Sequence, residues 1–271
     1  MGDERRRTDR IQTFSSAKKS KGSEKVASSR SRVFTIDDVV KSVLYEDNHL
    51  LVLNKQVGIA TMGVSADEVS LFTLARQYVK VKYNKPGEVY LGVVSRLDLP
   101  VSGVVVFART SKAASRLNEQ FKNHSVQKTY RALVEGTLRP KEAELADYIC
   151  ENKETRQLWI PSKLTEAAKS RFSPKEARLR YRVLEYFSNT TLVEIELLTG
   201  RKHQIRLQLA NQGVPVIGDG KYGAKPVEQS GICLHAYKLA ITHPTTRELI
   251  EFIAPPPNWK RWEKNNVRAG R

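Results

Sequence analysis

The stretch EARLRYRVLEYF, residues 176–187, decides the fold class. Ala177, Leu179, Tyr181 and Val183 fall on one side and Arg178, Arg180 and Arg182 on the other, the two-residue period of a strand with one face in the core and one in water. The next apolar segment, TLVEIELL at 191–198, repeats the pattern with Val193, Ile195 and Leu197 set against Glu194 and Glu196. Consecutive alternating segments with opposite charges on their polar sides suit antiparallel neighbours, with arginines facing glutamates across the sheet.

Working outward, VQKTYRALVEG (126–136) alternates in the same way, while HLLVLNK (49–55) and SGVVVFA (102–108) are unbroken apolar runs of strand length. GICLHAYKLAITH (231–243) and RELIEFIA (247–254) read as two further strands. Helical spacing is confined to LFTLARQYVKVKY (71–83), behind Ser70 as N-cap, and to KAASRLNEQFKNH (112–124), where Ala114, Leu117 and Phe121 share a stripe. Helices are too few for a repeated strand–helix–strand unit. The class is therefore α+β, with a mainly antiparallel or mixed sheet and flanking helices, and no boundary divides residues 33–257.

Charge narrows the partners. The 271 residues hold 46 Lys and Arg against 29 Asp and Glu, a formal +17. Such an excess favours a polyanion through counterion release, with solubility or a membrane surface as the other uses of it. Residues 1–32 carry ten basic and four acidic side chains among serines, a composition too poor in apolar groups to bury anything, and read as a disordered basic tail that adds affinity for RNA or DNA. An organelle presequence is the weaker reading of this tail because Asp3 and Glu4 stand so early. A second basic tail, 258–271, follows prolines that end the last strand, with Trp259 and Trp262 free to pack on the body or on a partner. Cys150 and Cys233 are far apart and belong to no metal-binding pattern, which suits reduced thiols in a cytoplasmic setting. No apolar run reaches membrane-spanning length, and the N-terminus lacks a signal-peptide core.

Chemistry has few candidate places. The chain has no glycine-rich nucleotide loop, no HExxH and no GxSxG. The histidines at 49, 124, 203, 235 and 243 are dispersed, as structural or surface histidines are. Three polar stretches flank predicted strands: SRLD at 95–98, QKTYRALVEG at 127–136 and LLTGRKHQIRLQL at 197–209. Taken singly, Asp98 reads as a turn cap ahead of Pro100, Arg206 as a surface arginine and Tyr130 as a core tyrosine.

Taken together, they resemble one family. SRLDLPVSGVVVFART (95–110) is similar to the catalytic-aspartate motif of the RluA-type RNA pseudouridine synthases, H-R-L-D-x-x-[ST]-S-G. KTYRALVEG (128–136) resembles their tyrosine motif, and TGRKHQIRLQLA (199–210) their arginine motif, in the family's order. YEDNHLLVLNKQVGIATM (45–62), VIGDGKYG (216–223) and LHAYKLAITHP (234–244) extend the likeness over about residues 38–257.

The resemblance implies the pseudouridine synthase catalytic fold with a basic central cleft, and isomerisation of particular uridines in ribosomal or transfer RNA after the base has been flipped out. It implies no cofactor and no metal, RNA as partner, no membrane, and a monomer. Asp98 would be the catalytic carboxylate, acting as nucleophile at the anomeric carbon or as base toward the sugar. Because burial alone disfavours a charged carboxyl, Asp98 needs a cation, and Arg206 occupies the family position that supplies one. Tyr130 matches the tyrosine that stacks on the uracil and helps move its C5 proton. Arg96 matches the residue that takes the flipped nucleotide's place, Leu234 lines the base pocket, and Arg201, Lys202 and His203 contact RNA.

Two positions depart from the pattern: Ser95 stands where the family has His, and Lys202 where the consensus TGRTHQIR has Thr. The other readings are a non-catalytic RNA-binding, ribosome-assembly or RNA-stabilising factor on the same fold, and a nuclease or glycosidase using Asp98 with a second carboxylate, although no second acid sits in a motif. Only some 37 residues precede the match, too few and too polar for the S4 RNA-binding module that many relatives carry.

Overall fold

The computed structural model describes residues 32–63, 69–227 and 231–259. Nearly all of the two expected basic tails, with Trp262, lies outside the described residues. The chain runs α1 (Ile36–Ser42), β1 (Val43–Glu46), β2 (Leu50–Lys55), α2 (Leu71–Lys82), β3 (Gly92–Val93), β4 (Ser102–Ala108), α3 (Ser111–Lys122), β5 (Gln127–Glu135), β6 (Glu142–Glu151), β7 (Leu158–Trp159), α4 (Glu166–Phe172), β8 (Lys175–Tyr186), β9 (Thr190–Leu197), α5 (Gln204–Asn211), β10 (Leu234–Thr242) and β11 (Leu249–Ile253). A 3-10 turn covers Gly220–Tyr222.

The strands form one mixed sheet in the order β1-β2-β4-β10-β5-β9-β8-β6-β7, with β11 on β10 and β3 on β4. Among the described pairs only β10 with β4 is parallel, so the α+β class with a mainly antiparallel sheet is what the chain adopts. The stretch 176–187 forms β8 with Ala177, Leu179 and Tyr181 buried. Its arginines meet the glutamates of β9 in register, Arg182 with Glu194 at 3.0 Å and Arg180 with Glu196 at 3.8 Å. Glu144 of β6 joins from the other side, 3.0 Å from Arg180. These pairs are largely solvent-exposed and contribute little each, about 0.2–1 kcal/mol; the buried face does the holding.

β4 is buried at all seven positions because helices cover both of its faces. Val104 and Val106 pack with Ala113, Ala114 and Leu117 of α3, and Val105 and Phe107 with Leu74, Ala75 and Val79 of α2. Both helices carry the expected starts: Ser70 Oγ accepts the Thr73 N–H at 3.2 Å, and Thr110 Oγ1 accepts that of Ala113 at 3.1 Å. Gly103 brings β4 against β10 with φ +118°, and a Cβ there would stand 2.2 Å from the Ala236 carbonyl oxygen, so only glycine fits.

Elements α1, β1, β3, β6, β7, α4 and α5 escaped the sequence reading, and three of these are instructive. α5 carries the HQIR stretch, and Gln204 through Leu209 are all buried, so it has no polar stripe to mark it as a helix. β6 alternates too weakly, its polar side holding Glu142 and Glu144 but also Ala146. α1 is a seven-residue helix, too short to show a period. Of the two tail tryptophans, Trp259 packs on the body, buried and edge-on to His235 at 6.4 Å. No helix among the described residues is long and apolar enough to cross a membrane.

Candidate active site

A cleft of about 570 Å³ opens between the loop that leads into β4, the strands β5 and β10, and the loop that leads into α5. All eight residues expected from the sequence, Arg96, Asp98, Tyr130, Arg201, Lys202, His203, Arg206 and Leu234, line it.

Asp98 sits on the loop between β3 and β4, at the first position of a turn closed by the Val101 N–H on the Asp98 carbonyl at 3.1 Å. It is this loop, rather than a strand, that carries the carboxylate, and the loop is pinned from several directions. Thr61 Oγ1 donates to the Leu97 carbonyl at 3.0 Å, the Gly58 N–H to that of Leu99 at 3.0 Å, and the Ile232 N–H to that of Pro100 at 3.1 Å. Beneath it lies Lys55, the end of β2 and fully buried. Its ammonium donates to the carbonyls of Gln56 at 3.0 Å, Leu99 at 3.2 Å and Val101 at 2.6 Å, which satisfies all three of its protons. Burial draws the Lys55 pKa down to about 7, against the pull of the Asp98 charge.

Arg206 stands on α5 with 5 % of its surface exposed, so it is not the surface arginine that the single-residue reading would make it. Its Nη1 donates to Asp98 Oδ2 at 3.0 Å. Nε and Nη2 grip Asp219 in a two-pronged pair, at 2.6 Å to Oδ2 and 2.8 Å to Oδ1. Burial opposes the guanidinium charge, but the two carboxylates, Asp219 foremost, outweigh it and the net shift is upward. The face of Tyr222 closes the other side, its ring 5.1 Å from the guanidinium carbon.

His203 precedes α5 in a left-handed conformation, φ +55°. That turn aims Nε2 at Asp98 Oδ2, 3.5 Å away, while Nδ1 meets the Tyr222 hydroxyl at 2.6 Å. Burial, helped by Arg206, Lys221 and Lys202 against the counter-pull of Asp98, lowers its pKa to about 4, so the imidazole is neutral at pH 7. With Oδ2 of Asp98 facing both Arg206 and His203, no described side chain donates to Oδ1.

Tyr130 projects into the cleft from β5, paired with Ile195 of β9 and Ala236 of β10. Burial, and then the Asp98 charge, raise its pKa, keeping the hydroxyl protonated. Leu234, the first residue of β10, is 3 % exposed. Arg96 is exposed at the rim. Arg201 Nε donates to the Glu176 carbonyl at 2.8 Å, and Lys202 pairs with Glu151 at 3.3 Å on the surface. Ser95 Oγ accepts the Val106 N–H at 3.2 Å, so this departure from the family letter has a hydrogen bond of its own to β4.

Lys55, Asp219 and Tyr222 are the site residues that sequence reading missed. Asp219 and Tyr222 lie within VIGDGKYG, which carried the resemblance without a role. Lys55 ends an apolar run, where lysine usually reaches solvent.

The chain is also similar to known proteins over most of its length. A model of the family described as RNA pseudouridylate synthase matches residues 49–211. The chain is 36 % identical over 218 residues to a Bacillus subtilis protein named uncharacterized RNA pseudouridine synthase YhcT, covering 79 % of this chain and 68 % of that one. It is 33 % identical over 226 residues to the dual-specificity RNA pseudouridine synthase RluA of Pasteurella multocida, covering 81 % and 94 %. The solved structure of human RNA Pseudouridylate Synthase Domain Containing 1 superposes with a TM-score of 0.68 at 25 % identity, over 87 % of this chain and 91 % of that one. With the family's motifs gathered around one cleft and its sequence pattern spanning more than half its length, the chain belongs to the RluA-type RNA pseudouridylate synthases.

Proposed function

We propose that the chain converts uridines of ribosomal or transfer RNA to pseudouridine with Asp98 as the catalytic carboxylate. The reaction breaks the bond from uracil N1 to the sugar C1′, turns the base and joins C5 to C1′; C5 gives up a proton and N1 gains one. Asp98 opens the sequence by attacking C1′ or by taking a sugar proton, and leaves unchanged. Arg206 supports the carboxylate as a charge while Asp219 fixes Arg206 in place, so Asp98 is held through Oδ2 and reacts through Oδ1. Tyr130 stacks on the turned uracil, and its hydroxyl, a donor and an acceptor at once, helps move the C5 proton. Leu234 walls the base pocket, Arg96 fills the gap left by the flipped nucleotide, and Arg201, Lys202 and His203 meet the strand.

The observation that carries this reading is the Asp98–Arg206–Asp219 chain, with Tyr130 lining the same cleft. The preponderance of cations among the lining residues supports a basic cleft for RNA. We assign residues 33–257 to the catalytic domain, acting as a monomer in the cytoplasm, with the basic segments at either end adding phosphate contacts. Total RNA from cells lacking this gene is the substrate that tests the function. The purified chain should restore pseudouridine at defined positions, read by carbodiimide-dependent primer extension, and Asp98→Ala should restore none. Equal restoration by both proteins removes Asp98 from the chemistry.

A further inference from the structure

Six cationic side chains line the cleft, Arg96, Lys128, Arg201, Lys202, Arg206 and Lys238, against the single carboxylate of Asp98. Three of them have acidic partners: Arg206 holds Asp98 and Asp219, Lys202 meets Glu151, and Lys238 meets Glu251 at 3.0 Å. Lys128 is different. It is half-buried on β5 and, among the described residues, makes no hydrogen bond or ion pair. Its ammonium rests against Gly200, where a Cβ would stand 3.6 Å from Nζ, and so lies next to Arg201 in the chain.

Arg201 is held in place through the Nε bond to Glu176, which leaves its terminal nitrogens without a described acceptor. Two like charges are therefore fixed near each other in a partly desolvated cleft with no acid between them. Burial, and then the Arg201 charge, push the Lys128 pKa down. Such an arrangement is unfavourable in the free protein and becomes favourable when an anion enters.

Position says which anion. Lys128 and Tyr130 are two residues apart on one strand and project from the same face, about 7 Å apart along it. An anion held by Lys128 and Arg201 thus lies beside the ring that receives the uracil.

We infer that Lys128 and Arg201 form a clamp for the RNA phosphate adjoining the target nucleotide, Lys128 as a point charge and Arg201 through its fork. The inference rests on RNA as substrate and on Tyr130 as the stacking residue. Its role is to hold the strand while the base is turned.

The test is the salt dependence of binding to a fluorescein-labelled uridine oligonucleotide, followed by anisotropy for the intact chain. Lys128→Met should weaken binding about tenfold at low salt and reduce the slope of log affinity against log salt by about 0.7, the value of one contact to a single-stranded phosphate. Lys128→Arg, which keeps the charge, should hold most of the affinity and the slope. Lys41→Met, on the exposed side of α1, should change neither. Affinity and slope unchanged in Lys128→Met overturn the clamp, as does a loss of turnover at unchanged affinity. If the wild-type chain itself shows no salt-dependent binding, the RNA reading falls with it, so the two failures are told apart.

Discussion

Arg206 serves two carboxylates at once, and the arithmetic of charge explains the neighbours it keeps. One guanidinium stands between Asp98 and Asp219, and a further cation, Lys55, buried under the same loop, feels the Asp98 charge. A lysine with no exposed surface is costly; here three backbone carbonyls and the Asp98 charge offset that cost. Its pKa makes the arrangement measurable. The folded chain releases the Lys55 proton at about pH 7, whereas an unfolded lysine keeps it to 10.5. Between those values unfolding takes up a proton, so stability rises with pH across that window, and below pH 7 the full cost of the buried charge is present. Urea unfolding at pH 7, 8 and 9.5 should give a free energy that climbs more steeply in the wild type than in Lys55→Met, by at most about 1.4 kcal/mol per pH unit. Parallel slopes would place the proton elsewhere.

Among the elements, α5 is the one on which the site turns, and it is held by amides as well as by Ile205 and Leu209 in the core. Gln208 Nε2 donates to Asp147 Oδ2 at 2.8 Å, to the Ala177 carbonyl at 3.2 Å and to that of Leu145 at 3.3 Å, bridging β6 and β8. Gln204 passes a 3.1 Å bond to Gln208 and accepts from Thr199 at 2.7 Å and from the Arg201 N–H at 3.0 Å. Gln208→Leu should cost about 1–3 kcal/mol through unmet buried partners, and should slow turnover because Arg206 moves with the helix. Chemical denaturation and a steady-state assay on the same preparation check both, and an undiminished rate with lowered stability would separate the helix from the site. This burial also explains what was legible. β8, β9, α2 and α3 announced themselves because each has one wet face. β4 was visible as an apolar run, but α5 mixes glutamine, arginine and leucine in the interior, where neither period nor polarity marks a helix.

At the scale of the whole molecule, the sheet gathers residues far apart in sequence: Asp98 and Arg206 are 108 positions apart. No local property of either predicts the pair, and singly each had a blander reading as turn cap and surface arginine. What made the site readable was the order of several motifs along the chain, which implied a fold able to bring them together. Asp219 shows the limit of that route: it lay inside a matching motif yet had no role until its grip on Arg206 was seen. Tyr222 was hidden in the same way, because a tyrosine beside glycines reads as a turn until it is placed against His203.

In the proposed reaction the carboxylate of Asp98 performs the chemistry while Arg206 and Asp219 hold it. Asp98→Asn keeps the shape and one hydrogen-bond acceptor but removes the charge. In single-turnover assays on unmodified RNA, with binding measured on the same RNA, this variant should keep affinity within about twofold of wild type and form pseudouridine at least ~10³-fold more slowly. A variant that forms pseudouridine at close to the wild-type rate would contradict that role of Asp98.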